Sequence, residues 1–352
     1  MRHFQANNRI SRRTALTTLV ASVTSVATPA LLAQNGTEPA KISIGVGGKA
    51  TLYYLPLTLA ERLGYFSAEK LNVSVVNYAS GALALQAGLD GLVDTCCGPF
   101  ENTINLQSQG RFFRSLVLLD RAPQVALGVS TQTLPNYQTL ADLRGRKIGV
   151  STPGSSINMV ASLALAQGGL SPGEVTFVGV GVGADALHAL RSGQIDAICN
   201  PDPLMTLLEK KSEVRIVCDT RTLKGSNNLF GGPMPAACLY APQTFVSNRP
   251  QTAQALSNAL VRTLKWLQTA EPSDLAAAVP EAYFLGDRAL FLASFDKVRD
   301  TISPDGIVSD DSPPTALRAL ARFDARIKPG QIDLSRVYTN TFAQKSKDRF
   351  KA

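Results

Sequence analysis

From Lys41 the chain alternates short β-branched runs with stretches of helical periodicity, and near residue 147 the same alternation starts again. "KISIGV", "NVSVVNY" and "LVDTCC" read as strands, with helices opening near Leu55 and Gly81 between them. "GPFENTINLQSQG" follows as a helix with Pro99 at its first turn, and "FRSLVLL" and "QVALGVS" are further strands. In the second round "KIGVST", "EVTFVGVG", "IDAICN" and "VRIVCD" are strands, each followed by a loop or helix. "PMPAACLYAP" is apolar and bounded by proline, which predicts a returning edge strand. From 250 onward the pattern is helical, with stops at Pro272, Pro304 and Pro329. Repeated strand–helix units predict parallel sheets with covering helices. The expected fold class is therefore α/β: two lobes with mixed sheets, joined by crossing strands near 124–131 and 234–241 and completed by C-terminal helices. The predicted boundaries give 41–130 and 240–345 to lobe 1, and 131–239 to lobe 2.

The stretch before Lys41 predicts where such a chain works. "RISRRTALTTLVASVTSVATPALLAQ" has a basic start and then an apolar run rich in Ala, Val, Leu and Thr, which reads as a signal peptide over 1–33. The twin arginine in "SRRTAL" favours the Tat route over Sec, and cleavage is expected near Ala30 or Ala33. No later run of 18 apolar residues occurs, so the expected location is the periplasm. Of the net charge of +8, half comes from the arginines at 2, 9, 12 and 13, leaving +4 for the rest. No basic block interleaved with aromatics accompanies it, which argues against nucleic acid as a partner.

Two such lobes leave a cleft, and α/β sheets place ligands at the carboxyl ends of their parallel strands. The loops predicted there are 47–53, 79–82 and 97–101 in lobe 1, and 151–156, 181–185 and 199–203 in lobe 2. Several open a helix, whose free N–H groups and positive dipole end suit an anion. In "STPGSS", Gly154 makes the turn, while Ser155 and Ser156 read either as caps or as ligand contacts. Ser80 and Gly81 have the same two readings. Lys49 is the only lysine or arginine in these loops; it reads as a partner for a carboxylate or sulfonate, or as a solvated charge. Tyr53 and Tyr54 read as stacking groups or as buried aromatics. Glu101 complements the dipole at its helix start or accepts a hydrogen bond from a ligand, and Asp202 in "NPDP" is equally ambiguous.

Catalysis and metal binding find little support. There is no G-x-S-x-G elbow and no Walker-A pattern, and "GVGVG" at 179–183 lacks the remaining features of a dinucleotide loop. The histidines are His3, inside the signal, and His188, on a helix face. The cysteines, Cys96, Cys97, Cys199, Cys218 and Cys238, match no zinc spacing. Cys96 and Cys97 end a short apolar strand, where a thiol acts as a small buried hydrophobe. No cofactor and no metal are expected.

These residues carry a resemblance. "A-x-x-x-GYF" in 60–66, the strand followed by "SG", and "ALQAGLDGLVDT" resemble the first lobe of periplasmic solute-binding proteins of ABC importers. "LADLRGRKIGVSTPGSS" and "ALRSGQIDAICNPDP" are similar to the second lobe of the nitrate/sulfonate/taurine group, the NMT1/THI5-like family. The resemblance covers about 41–330. It implies a type II periplasmic-binding-protein fold, a monomer that turns nothing over, and a permease and ATPase as membrane partners. It implies contact loops at Gly48, Lys49 and Thr51, at Ser80 and Gly81, at Phe100 and Glu101, at Gly154 to Ser156, and at Asn200 and Asp202. The group's usual cargo is a small anion. Here loop 97–101 carries an acidic residue, Glu101, and only Lys49 supplies a cation, so an organic ligand with a donor group, such as an amino-sulfonate or an aromatic acid, suits them better. Two alternatives share the fold: a periplasmic sensor, and an enzyme of thiamine-pyrimidine synthesis, which uses a cysteine-rich loop near "CCGPF" and a histidine that this first lobe lacks.

Overall fold

The computed structural model describes residues 39–352, so the expected signal peptide and its cleavage site lie outside the described residues. The first sheet comprises β1 (Ala40–Gly47), β2 (Leu71–Tyr78), β3 (Thr95–Pro99), β4 (Phe113–Leu118) and β10 (Ala237–Pro242), in the order β2-β1-β3-β10-β4. The second comprises β5 (Val125–Ser130), β6 (Lys147–Val150), β7 (Thr176–Gly179), β8 (Ala197–Pro201) and β9 (Val214–Asp219), in the order β7-β6-β8-β5-β9. Both sheets are mixed. β1 pairs in parallel with β2 and β3, and β6 with β7 and β8, whereas β10 and β5 run antiparallel to both of their neighbours. The two lobes thus repeat one topology. In each, the antiparallel strand is the one that arrives from the other lobe.

This exchange moves the lobe boundaries. Val125–Ser130, assigned to lobe 1 by a boundary at 130, is hydrogen-bonded inside the second sheet between β8 and β9. The crossing strand finds its partners in the lobe it enters, so the chain changes lobes at 119–124 and again at 231–236. Nor is "ACLYAP" an edge strand, because β3 and β4 flank it on both sides. Its proline, Pro242, sits at the strand end, where the ladder needs no donor. Consistent with an interior place, β10, β5 and β8 are almost wholly buried. The crossings run side by side: the Ala236 N–H donates to the Asp120 carbonyl at 2.9 Å, and the Asp120 N–H to the Ala237 carbonyl at 3.1 Å.

The C-terminal helices cover lobe 1 and also reach lobe 2. Helix Pro250–Thr269 packs on helices Leu55–Arg62 and Thr341–Phe350. Helix Ser312–Phe323 lies as a strap against both Glu101–Ser108 of lobe 1 and Ser156–Gln167 of lobe 2. One apolar cluster consequently spans the lobes, from Phe100 and Ile104 through Val160 to Leu320. Among the described residues no helix is long and apolar enough to cross a membrane.

Candidate functional site

The strand-end loops of the two sheets line a partly open cavity of about 240 Å³ between the lobes. On the lobe 1 side, β1 ends at Gly47 directly against the start of helix Gly81–Leu89. A Cβ on Gly47 would lie 2.1 Å from the Gly81 nitrogen, so only glycine permits this approach. Ser80 caps that helix, its hydroxyl accepting from the Leu83 N–H at 3.3 Å. The cap leaves the N–H groups of Gly81 and Ala82, both in the cavity wall, without a protein acceptor among the described residues.

Lobe 2 presents the same arrangement. Ser155 caps helix Ser156–Gln167 by accepting from the Asn158 N–H at 3.2 Å, and the Ser151 hydroxyl donates to Ser155 at 3.0 Å. The Gly154 N–H donates to Asn158 Oδ1 at 2.9 Å, which closes the turn. Ser156 and Ile157, the next two residues, line the cavity with their N–H groups unclaimed. Of the two serines, one is a cap and the other faces the cleft.

Glu101 opens helix Glu101–Ser108 and lines the same cavity with 5% of its surface exposed. Burial pushes its carboxyl above the usual range, opposed by the Ser156 hydroxyl across the cleft and by its own backbone N–H. It joins no ion pair, and no lysine, arginine or histidine lines the cavity among the described residues. The rest of the wall is aromatic and aliphatic: Tyr53, Tyr54, Leu85, Val160, Leu320 and Phe323. The tyrosine rings meet edge to face, with centroids 5.2 Å apart. Burial, then Glu101, holds the Tyr53 hydroxyl well above its usual range.

Thr51, Ser80, Gly81, Glu101, Gly154, Ser155 and Ser156 therefore come together around one space. The remaining residues expected there do other things. The Lys49 ammonium pairs with Glu61 at 2.7 Å, outside the cavity wall, because the turn directs it along helix Leu55–Arg62. Gly48 sits where the lobes touch; it has φ +96°, and a Cβ there would stand 2.7 Å from the Val182 side chain. The N–H groups of Gly48 and Lys49 both donate to Asn77 Oδ1, at 3.0 and 2.8 Å. Phe100 is fully buried in the shared core, its ring 6.2 Å from that of Tyr338. Asn200 is buried as well, its amide donating to the Gly181 carbonyl at 3.0 Å and so fixing the glycine loop.

Asp202 belongs to an ion network behind the cleft. Its carboxylate accepts from the Thr206 N–H at 2.7 Å and faces Arg221 Nη1 at 3.5 Å. Arg221 is itself fully buried and pairs with Asp219 at 2.7 Å and Glu209 at 3.0 Å. Glu209 continues to Lys297, 2.5 Å away on the C-terminal helix Arg288–Val298, and so ties lobe 2 to the covering helices. Burial raises the carboxyl of Asp202 even against Arg221. What Asp202 offers the cleft is its backbone: its carbonyl accepts from the Leu52 N–H across the lobes at 3.3 Å.

Sequence reasoning missed Asn102 and Asn105, which line the cavity beside Glu101. Their spacing of three and four residues along one helix face was the available signal. Leu320 and Phe323 had none, since their place depends on how the C-terminal strap packs. All five cysteines are free thiols, and none lines the cavity.

The NMT1-like family model matches residues 35–280. A solved protein from Bordetella bronchiseptica RB50 is 49% identical, with a TM-score of 0.86 over 90% of this chain and 99% of that one. The periplasmic nitrate-binding protein NrtA from Synechocystis PCC 6803 is 14% identical, with a TM-score of 0.71 over 89% of this chain and 90% of its own. The alkanesulfonate-binding protein SsuA from Xanthomonas axonopodis pv. citri, bound to MOPS, is 18% identical, with a TM-score of 0.65 over 86% and 99%. The two-lobed α/β architecture is thus the periplasmic-binding-protein fold.

Proposed function

The chain belongs to the NMT1-like family, and on that premise we propose that it is the solute-binding component of an ABC importer. In this reading it works in the periplasm as a monomer, captures a small organic anion between its lobes and hands it to a membrane permease driven by an ATPase. The cargo belongs to the sulfonate, taurine-like or aromatic acid class. One observation carries the reading: two helix starts, at Gly81 and Ser156, approach one partly open cavity from opposite lobes with unclaimed N–H groups. Such groups bind an anionic oxygen without any cationic side chain. The apolar wall suits an organic body rather than a bare inorganic ion, and NrtA and SsuA, whose names state nitrate and alkanesulfonate binding, share the fold. The acid–base groups of the wall are Glu101 and two tyrosines, and no cysteine or histidine lines the cavity among the described residues.

The test is a melting-temperature screen of the purified protein against sulfonates, amino-sulfonates, aromatic acids and nitrate. A solute at a hundredfold excess over Kd stabilises by about 2.7 kcal/mol, which shifts the transition visibly. A shift without chemical conversion of the compound supports solute capture. A flat response to the whole panel, or turnover of a bound compound, overturns it.

A further inference from the structure

Resting on that reading, the chemistry of the cleft narrows the cargo further. Glu101 is nine-tenths buried and aimed into the cavity. Ser156 and its own N–H are the donors on hand, and no cation stands in the wall among the described residues. A buried carboxylate without a cationic partner is costly, and a carboxylate accepts more hydrogen bonds than these two. A simple anion would add like charge beside it and leave that cost unrelieved.

We infer that Glu101 is the specificity-determining residue of the cleft and that it selects solutes carrying a nitrogen donor, an amine or other N–H group. Simple anions such as nitrate and sulfate are not held. The nitrogen docks on Glu101 beside Ser156, the acidic oxygens lie on the N–H groups at Gly81 and Ser156, and the carbon body packs on Tyr53 and Val160. The other titratable groups near Glu101 are Tyr53, from the loop after β1, and Cys238, from β10. Burial pushes the Cys238 thiol up to about 12 and the Tyr53 hydroxyl well up, so both are neutral at pH 7, and burial raises the Glu101 carboxyl as well, which a cationic nitrogen on the solute would counter.

Calorimetric titration of wild type and Glu101→Gln with matched pairs tests this: 2-aminoethanesulfonate against ethanesulfonate, and 4-(aminomethyl)benzoate against 4-methylbenzoate, with nitrate and sulfate alongside. Glutamine keeps the shape and removes the charge, and the unliganded melting temperature checks folding. An amine-bearing member is expected to bind about tenfold or more tightly than its amine-free partner, and Glu101→Gln to erase most of that difference. Equal binding of the amine-free partner, or retained affinity in Glu101→Gln, overturns the assignment in favour of a protonated Glu101 donating to an anion. Tight binding of nitrate or sulfate overturns it as well. Silence from every compound counts against solute capture itself, and against this assignment with it.

Discussion

Replacing Arg221 by methionine removes the centre of the ion network without changing its volume much. Arg221 is fully buried, and so is the side chain of Asp202; Asp219 and Glu209 keep 35% and 36% exposure. The half-open carboxylates can turn to solvent, and Glu209 retains Lys297. Asp202 cannot, because β8 and helix Leu204–Lys210 bury it, and without Arg221 it keeps the Thr206 N–H and hydroxyl but no direct ion pair. Breaking a buried pair by removing one partner costs about 3–5 kcal/mol. With two of the three carboxylates able to relax, we expect a loss near the lower end, about 3 kcal/mol at pH 7. The sign of the pH dependence follows from Asp202. Burial already raises its folded pKa above the unfolded value, and loss of Arg221 raises it further. The folded mutant therefore takes up a proton more readily than the unfolded chain, and its deficit shrinks as pH falls below neutrality. Urea unfolding followed by circular dichroism, at pH 7 and pH 5, measures both effects. Arg221→Met combined with Asp202→Asn should be more stable than Arg221→Met alone, because it removes the stranded charge. A loss below about 1 kcal/mol, or no recovery in the double mutant, would refute the view that a buried Asp202 is what Arg221 compensates.

Three further outcomes follow from the site. Ser155→Ala should cost about 1 kcal/mol through its lost cap and leave solute binding largely intact, whereas Ser156→Ala should weaken solute binding severalfold; paired thermal and binding measurements would expose an inverted assignment. Lys49→Ala should leave solute affinity unchanged, since its ammonium faces Glu61 rather than the cavity, and should cost no more than about 1 kcal/mol as a part-exposed pair; a large drop in affinity would place the lysine in the site. Burial pushes the thiols of Cys96 and Cys238 up to about 12 and that of Cys218 to about 11. An aromatic disulfide reagent at pH 8 should therefore label the native protein slowly and all five cysteines after denaturation; fast native labelling would contradict their burial.

Which parts of the site could be read from sequence depends on what local rules govern. Ser80–Gly81 and Gly154–Ser156 were legible because a strand, a tight turn and a capping hydroxyl are decided within a few residues. The two lobes were legible because strand–helix alternation restarts, but the crossing strands were assigned one lobe too early. No local pattern tells whether β5 bonds to the sheet it leaves or the sheet it enters. Side-chain direction was not legible either. Phe100 and Glu101 are neighbours at a helix start, and successive residues of a helix turn by about 100°. One therefore fills the shared core while the other faces the cavity. Asp202 stood in a ligand loop by position, yet Arg221 captures it from 19 residues further along.

The charges show why the cleft itself had to be built before its cargo could be reasoned about. The expected contact residues include one lysine and two acids, which suggests a site of mixed sign. Folding removes Lys49 to Glu61 and Asp202 to Arg221, and leaves Glu101 facing the cavity without a counter-charge. The positive character that remains belongs to the backbone, at Gly81 and Ser156. A solute that satisfies both must bring its own donor to the carboxyl and its own acceptor to the helix starts. Because Lys49 pairs with Glu61, the counter-charge to Glu101 is left, on the reading proposed above, to the ligand.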